Sequence, residues 1–340
     1  MIKDSLFAAE EREAKLDRLG DVLQVMEQHV GFKALAAEVD RVAPRPGRER
    51  GGRPPFPTEL MVRAWVLQNL YGLSDEQMEY QVLDRLSFQR FLGLRRSSQV
   101  PDRTTFWTFR ERLTTRKTGD ALFEAVNRQL AQHGYIARGG QMVDASLVPV
   151  PRQHVTEKER ALLKEQAMPM EWKPAQRRQK DTEATWTQKH GKSYFGYKVS
   201  VSADRRYQLI RRVKVSTASE NDTLHLEDVL DHANTGRDLY GDKGYVDGGR
   251  EHRLKAQGWR VHIQRKAEKG KPLSICQERR NTRIARVRAR VELVFAALEQ
   301  MGKQLRDIGL DRATFQLTGK AAVYNLRRLC SLKACGVVAF

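Results

Sequence analysis

Near Gly139 the hydrophobic pattern changes from a helical spacing of three or four residues to runs and alternation typical of strands. This change predicts a chain with two structurally different parts. Before it, stretches such as "DRLGDVLQVMEQHV" and "FKALAAEVDRV" repeat apolar residues every three or four positions, which predicts amphipathic helices. After it, "GQMVDASLVPV" is an apolar run of strand length, and "SYFGYKVSVSAD" and "QLIRRVKVSTAS" alternate like an antiparallel pair. We therefore expect an all-α N-terminal part followed by a sheet-forming part.

A basic, Pro- and Gly-rich stretch, "PRPGRERGGRPPFP" at residues 44–57, interrupts the helical part and predicts a linker. The expected organisation is N-terminal helices at 1–43, this linker, a helical DNA-binding or dimerisation domain at 58–135, and an α/β domain at 136–340.

Helix boundaries in the second helical region are marked by capping residues. One helix should end at Gly72, a Ser74/Gln77 capping box should open the next, and Asp102 should cap a third. The short "GLS" turn between the first two helices is compatible with a helix-turn-helix that reads DNA. A plain helical bundle or dimerisation module fits the same spacing.

The α/β part continues with further strand and helix signals. "DTLHLEDVLDHA" predicts a helix, "RDLYGDKGYV" a short strand that runs into a Gly-containing loop, and "GWRVHIQRK" another strand. Two long helices, at about 281–303 and 311–332, close the chain. The order of three strands, helix, strand, helix, strand, helix predicts a mixed sheet with flanking helices.

Charge is the part of the composition that narrows the function. The chain carries 61 Lys and Arg against 42 Asp and Glu, a net charge of +19. From Arg265 to Arg290 there are ten basic residues and two acidic ones. Clustering of this kind favours a surface that follows nucleic-acid phosphates over a generally basic, soluble surface.

Other features exclude several classes of protein. The chain has three unclustered cysteines, which argues for a reduced cytosolic protein and against a disulfide framework or a Cys-based zinc site. No apolar run is long enough for a membrane span, and the N-terminus turns acidic before a secretory signal could develop. We expect no membrane partner.

Two aspartates interrupt predicted strands. Asp144 lies inside the apolar "QMVDASLV", and Asp242 in "LYGDKGY" falls at the expected C-terminal end of another strand. A buried carboxylate is costly unless a cation or hydrogen bonds compensate it, so Asp144 is either a site residue or a loop cap at a strand end. Asp238 competes with Asp242, but its position suits the solvated start of the strand.

A third acid, Glu292, lies on the helix "RVRARVELVFAALEQ". At about 100° per residue, one arc of this helix is apolar and should pack on the sheet. That arc consists of Ile284, Val287, Val291, Val294, Phe295 and Leu298. Arg288, Glu292 and Glu299 fall along one flank of the arc. A structural Arg288–Glu292 pair is the alternative interpretation, although an Arg placed N-terminal to its Glu is the weaker orientation.

Two strand aspartates and a helix glutamate beside dense positive charge suggest a site for two Mg²⁺ or Mn²⁺ ions. Hard cations prefer oxygen ligands. Two such ions can activate the attacking oxygen and stabilise the leaving oxygen when a phosphodiester is displaced.

The chain resembles bacterial insertion-sequence transposases of the IS-five group. The resemblance runs from about Phe56 to Leu332 and rests on the order of its motifs. These are "GRPPFP", "FLGL", "VPDRTTFWTFRERL", "VDASLV", "TWTQKHGKSYFGYK", "GDKGY", "RVRARVELVF" and "YNLRRL". The resemblance implies a ribonuclease H-like catalytic domain, an Asp-Asp-Glu triad and a bacterial, nucleoid-associated protein in the cytoplasm.

Carried over position by position, the family pattern makes Asp144, Asp242 and Glu292 the catalytic metal ligands. Arg288 matches the arginine of the related Tyr-Arg-Glu-Lys signature, but Ala285 and Glu299 stand at its tyrosine and lysine positions. These departures leave the triad intact, and they mean that a hairpin intermediate cannot be assumed.

Further residues are candidates for holding DNA. Trp186 and Tyr194 could stack a base among nearby lysines, with core packing the preferred interpretation for Tyr194. Lys243 is placed to touch phosphate or to balance the neighbouring acids. The candidate DNA contacts are Arg283, Arg286, Arg288, Arg290, Lys243, Trp186, Lys192 and Lys198.

The resulting prediction is a transposase that binds terminal inverted repeats, cleaves at the transposon ends and transfers the 3′-hydroxyls to target DNA. A homodimer or larger synaptic complex is implied, because two ends must be held together. Two alternatives remain: a metal-dependent nuclease or resolvase of the same fold, and a DNA-binding regulator without catalysis.

Overall fold

The computed structural model describes residues 6–45, 54–94, 99–165, 167–189, 191–268 and 270–339. Most of the predicted linker, at 46–53, lies outside the described residues. Across the described helices, none combines the length and the apolar character that a membrane crossing needs.

Among the residues described up to Gln132, the N-terminal part contains eight helices, as the hydrophobic periodicity predicts. They are α1 (Ala8–Leu19), α2 (Val22–His29), α3 (Phe32–Val42), α4 (Thr58–Tyr71), α5 (Asp75–Asp84), α6 (Leu86–Leu92), α7 (Arg103–Thr115) and α8 (Gly119–Gln132). The predicted boundaries are confirmed: α4 ends at left-handed Gly72, Ser74 and Gln77 form a capping box, and the Asp102 side chain accepts from the Thr105 N–H.

The C-terminal part is a six-stranded mixed sheet with helices. Its strands are β1 (Gln141–Pro149), β2 (Thr185–Lys189), β3 (Lys192–Asp204), β4 (Ile210–Thr217), β5 (Asp238–Gly241) and β6 (Arg260–Ile263). Its helices are α9 (Glu157–Lys164), α10 (Pro174–Gln179), α11 (Gly248–Ala256), α12 (Ile275–Gln300) and α13 (Leu310–Ala334).

The sheet order is β2-β3-β1-β5-β6, with β4 also paired to β3. β1, β5 and β6 run parallel, whereas β2, β3 and β4 extend the sheet in an antiparallel manner. The predicted β3–β4 pair is confirmed, and so is the start of β5 at Asp238. The mixed α/β class is therefore confirmed.

Three local predictions need correction. The segment "DTLHLEDVLDHA" is not an α-helix but two short 3₁₀ turns, in which the His225 ring bonds to both Glu220 and Asp228 and holds the chain in a tight local fold. Strand β2 was not predicted, because its "TWTQK" pattern is mostly polar. Helix α12 starts at Ile275 rather than near 281, because Ser274 and Gln277 form a capping box.

Helix α12 packs on one face of the sheet with the apolar arc that its sequence predicts. Ile284, Val291, Val294 and Leu298 are buried, and Val287 and Phe295 are partly buried against the same core. The opposite face of the sheet carries a separate apolar cluster that includes Val143 and Leu239 and is covered in part by Leu254 of α11.

Helix α13 joins the two parts of the molecule. It packs against α8, α4 and α2 on one side and against β4 on the other, and most of its length is buried. One apolar cluster therefore continues from the N-terminal helices to the α12 side of the sheet.

Candidate active site

Asp144 lies within β1 and not at a loop, which rules out the strand-end cap as its role. Its Oδ2 accepts a hydrogen bond from Nη2 of Arg288 at 2.8 Å, and its Oδ1 accepts one from the Ala145 N–H at 2.9 Å. The two charged side chains are 20% and 14% exposed. The negative charge of Asp144 on β1 is therefore balanced inside the fold by the guanidinium of Arg288 on α12.

The environment of Asp144 works against its ionised form. Burial raises the pKa of this carboxyl, the nearby charge of Asp242 raises it further, and Arg288 with the Ala145 N–H partly offsets both. The net shift is upward. Asp144 is therefore a carboxylate that needs a cation beside it in order to stay ionised at low cost.

Asp242 follows β5 and is brought next to Asp144 by the parallel pairing of β1 and β5. Met142 pairs with Tyr240, and both side chains belong to the core under α12, so the residues two positions on, Asp144 and Asp242, share that face. The Oδ1 of Asp242 accepts the Gly244 N–H at 2.7 Å. A Cβ at Gly244 would approach that oxygen to 2.9 Å, which explains the glycine of "GDKGY".

Glu292 lies one helical turn beyond Arg288 on α12, and its side chain is exposed. The alternative Arg288–Glu292 pair is not formed, because Arg288 turns to Asp144 and to Oε1 of Gln264. Over the described ranges, no three acidic, His or Cys side chains lie close enough together to hold a metal ion. The fold brings Asp144 and Asp242 together but leaves Glu292 turned to solvent.

The donor set at this site suits a hard divalent cation. Its groups are carboxylate oxygens from two neighbouring strands, and the Asp144 carboxylate already contacts the guanidinium of Arg288. Arg288 thus occupies the position where positive charge is needed. A bound cation and Glu292 would have to come to Asp144 in place of that guanidinium.

The predicted arginine contacts divide between the two flanks of α12. Arg288 is largely buried against Asp144, whereas Arg283, Arg286 and Arg290 are exposed on the other flank. Nη1 of Arg290 donates to the backbone oxygen of Arg205 at 3.2 Å. These three arginines therefore do not surround the acids.

The other predicted DNA contacts are spread over the sheet edge and the β5 loop. Trp186 is 42% exposed, packs on Phe195 at 5.2 Å between ring centroids, and has the Arg152 guanidinium 5.6 Å from its ring. Lys192 and Lys243 are exposed.

Lys198 requires a correction. It is 8% exposed, and its Nζ bonds to the Glu220 carbonyl and lies 2.6 Å from Oδ1 of Asp222. Because a buried, paired ammonium cannot follow a DNA backbone, Lys198 is a structural residue and not a phosphate contact.

Tyr245 is a buried neighbour of the two aspartates that the sequence reasoning missed. It is fully buried just after Asp242, and burial together with the charges of Asp144, Asp222 and Asp242 raises its pKa strongly. Its hydroxyl has no hydrogen-bond partner among the described residues. The tyrosine of "GDKGY" is the signal that could have identified it.

A mixed sheet with aspartates on adjacent parallel strands, covered by a helix that carries a glutamate, is the arrangement of a ribonuclease H-like DDE domain. The chain belongs to the transposase DDE family: residues 137–326, more than half of its length, match the family model described as "Transposase DDE domain". Residues 10–112 match a second model, "Transposase domain (DUF772)". No solved structure matches the chain.

Proposed function

We propose that this transposase binds terminal inverted repeats, cleaves at the transposon ends and transfers the 3′-hydroxyl ends to target DNA, with Asp144, Asp242 and Glu292 holding Mg²⁺ or Mn²⁺. Membership of the IS-five group is part of this proposal. The observation that carries this proposal is the Asp144 carboxylate. It is held inside the sheet beside Asp242, and its negative charge is balanced by the guanidinium of Arg288.

Each acid has a distinct part in this site. Asp144 and Asp242 offer oxygens from the sheet, and Glu292 offers one from α12, so the ligands come from three separate elements. Two bound ions would supply an activated attacking oxygen and charge stabilisation at the leaving oxygen. Arg288 neutralises Asp144 before loading and, once released, would be free to bind a DNA phosphate.

The remaining assignments concern the DNA partner. Lys243 beside Asp242 and Lys192 on the sheet edge are positioned to bind backbone phosphate, and the exposed face of Trp186 is available to stack a base. The helical region 58–135 would bind the transposon ends. Two ends must be held at once, so a homodimer or larger synaptic complex acting on the bacterial nucleoid follows from this function.

The test is a strand-transfer assay with labelled end DNA, a target plasmid and Mg²⁺. Wild-type protein should give both cleaved ends and joined product, and Glu292→Gln should lower both by about a thousandfold or more, because a metal ligand is lost. Glu299→Gln is the matched control, because Glu299 is an exposed acid on the same flank of α12 with no metal role here.

Each contrary result has a defined meaning. Cleavage by the wild type without joined product would replace strand transfer with a simple metal-dependent nuclease or resolvase. Binding without cleavage would indicate a regulator. Full activity in Glu292→Gln would remove Glu292 from the site.

A further inference from the structure

A cavity of about 410 Å³ lies on the flank of α12 that faces away from Asp144. Four arginines line it: Arg138, Arg205, Arg206 and Arg290. Of the described residues that line it, none is acidic. We call this the arginine groove. A concave surface with four guanidinium groups and no carboxylate will attract a polyanion.

Two of the four groove arginines, Arg205 and Arg290, have side chains held by hydrogen bonds within the fold. Asp204 is fully buried and accepts the N–H groups of Arg206, Tyr207 and Leu209, which fixes the turn after β3. Arg205 donates to the Tyr240 hydroxyl at 3.3 Å, and Arg290 donates to the Arg205 carbonyl. Because this order exists before any ligand binds, binding costs less side-chain entropy.

Besides the arginines, the groove is lined by Gly139, Thr235 and Gly236, so much of this part of its surface is backbone. Gly139 and Gly140 adopt left-handed conformations, with φ of 76° and 87°. A Cβ at Gly236 would come within 2.4 Å of the Gly140 nitrogen, and one at Gly140 within 2.5 Å of the Asp238 carbonyl. Only glycines allow the segments at Gly140 and Gly236 to pack so closely, and Thr235 is the one non-arginine side chain among the described lining residues.

The groove continues along α12. Arg283, Arg286 and Arg290 are spaced by three and four residues and form one exposed stripe that leads into the cavity. Among the described residues, neither Arg283 nor Arg286 forms an ion pair with an acid. The stripe spans about 10 Å of helix, which is the rise of seven residues and covers several phosphates of one DNA strand.

The groove is separate from the acids. Arg288, which contacts Asp144, and Arg290, which lines the groove, differ by about 200° around the helix. The body of α12 therefore stands between the two surfaces. A duplex bound along the arginine groove would therefore contact the flank of α12 opposite the acids.

We propose that the arginine groove binds the backbone of the target duplex while the transposon end occupies the acids. This inference rests on the proposed function. Arginines and backbone recognise phosphate and not base sequence, which suits a DNA partner that lacks a fixed sequence. Strand transfer requires such a second duplex on the same protein.

The experiment measures binding of two duplexes of equal length, one with a terminal repeat and one without, over a range of salt concentrations and without divalent metal. Arg205→Gln/Arg290→Gln should weaken binding of the repeat-free duplex. It should also make the slope of log affinity against log salt shallower by about 2, because two phosphate contacts are lost at about 0.9 each.

The control is Arg253→Gln/Lys255→Gln, an equal loss of charge on α11, which covers the opposite face of the sheet. It should leave the slope unchanged. Arg205→Lys/Arg290→Lys should restore most of the slope, and thermal melting of each variant shows whether a binding loss follows from unfolding.

The outcomes separate the two proposals. An unchanged slope in Arg205→Gln/Arg290→Gln would overturn the proposal that the arginine groove binds DNA. A loss confined to the repeat-containing duplex would place the transposon end in the groove and overturn the target assignment. Neither result depends on cleavage, whereas the proposed function is tested by whether wild-type protein with Mg²⁺ cleaves end DNA and joins it to target DNA.

Discussion

A single ion pair decides the state of the candidate site. Asp144 is placed by β1 inside the sheet, where ionisation is costly, and Arg288 reaches it from α12. A partly buried pair of this kind adds little stability by itself, but removing one partner leaves a charge without compensation. The pair therefore matters more for the charge of the site than for the strength of the fold.

Arg288→Ala should lower the free energy of unfolding by about 2–3 kcal/mol at neutral pH, because Asp144 would remain as an uncompensated carboxylate. Arg286→Ala, which removes an exposed arginine from the same helix, should cost less than about 0.5 kcal/mol. Urea unfolding of both variants measures the difference. Equal losses would show that the Asp144–Arg288 contact carries no special weight.

The stability lost in Arg288→Ala should also depend on pH. The folded pKa of Asp144 is raised, and removing Arg288 should raise it further. A raised folded pKa means that the folded state holds the proton more tightly, so ionisation costs stability at higher pH. The loss of stability in Arg288→Ala should therefore shrink as the pH falls toward about 3.9, the pKa of Asp144 in the unfolded chain. A deficit that stays constant with pH would exclude this mechanism.

Lys320 gives a second pH-dependent prediction at the residue scale. It is 3% exposed on α13, its Nζ donates to the Gly302 carbonyl at 2.6 Å, and burial lowers its pKa to about 8. Between about pH 8 and 10.4 the unfolded chain binds this proton more tightly than the folded one, so stability rises with pH.

Wild-type protein should therefore gain up to about 3 kcal/mol relative to Lys320→Met across this pH range. Denaturant unfolding at both ends of the range gives the number, and the difference between the two proteins removes the contribution of other groups. A difference independent of pH would mean that Lys320 keeps an ordinary pKa in the folded state.

At the scale of elements, α12 has three separate surfaces. Its apolar arc packs on the sheet, one flank carries Arg288 and Glu292, and the other carries the arginine stripe. Its start at Ser274 adds two turns to the helix predicted from periodicity alone. The orientation of these surfaces depends on the helix staying regular from its first turn.

Ser274→Ala should weaken the first turn of α12 by about 1 kcal/mol, because the Gln277 N–H loses its side-chain acceptor. Hydrogen exchange of the amides from Ile275 to Glu278 should quicken about fivefold, with little change near Val291. Ser331→Ala, where the hydroxyl bonds to a carbonyl within α13, is the control. No change at Gln277 would show that the capping box does not hold the helix start.

At the scale of the whole molecule, α13 packs against both the helical part and the sheet, so we expect the two parts to unfold together. Asn325 is fully buried at their junction. Its Nδ2 donates to the Ile210 carbonyl of β4 and to Oδ1 of Asn127 in α8, and its Oδ1 accepts the Ile210 N–H. One amide thus satisfies polar groups from both parts.

Asn325→Ala should lower the free energy of unfolding by about 3 kcal/mol, because buried polar groups in β4 and α8 lose their partners. The transition should stay single by both circular dichroism and tryptophan fluorescence, since one core links the two parts. Arg327→Ala, an exposed site on the same helix, should have little effect. Two separate transitions in the wild type would contradict a shared core.

Much of the fold was predictable because local chemistry determines it. The caps at Ser74 and Asp102, the strand containing Asp144 and the apolar arc of α12 all follow from short-range patterns. The predictions that failed concern elements that local chemistry does not determine. The 3₁₀ turns around His225 and the polar edge strand β2 depend on contacts that no local pattern encodes.

The site was predictable as a set of residue types but not as an arrangement. The sequence by itself determined that Asp144 interrupts a strand, that Asp242 ends another and that Glu292 lies on a basic helix. Only the tertiary structure decided that Arg288 binds Asp144, that Lys198 is buried, and that the stripe with Arg290 opens into a separate groove. Periodicity gives the face of a helix, whereas the partner on that face is set by how distant elements pack.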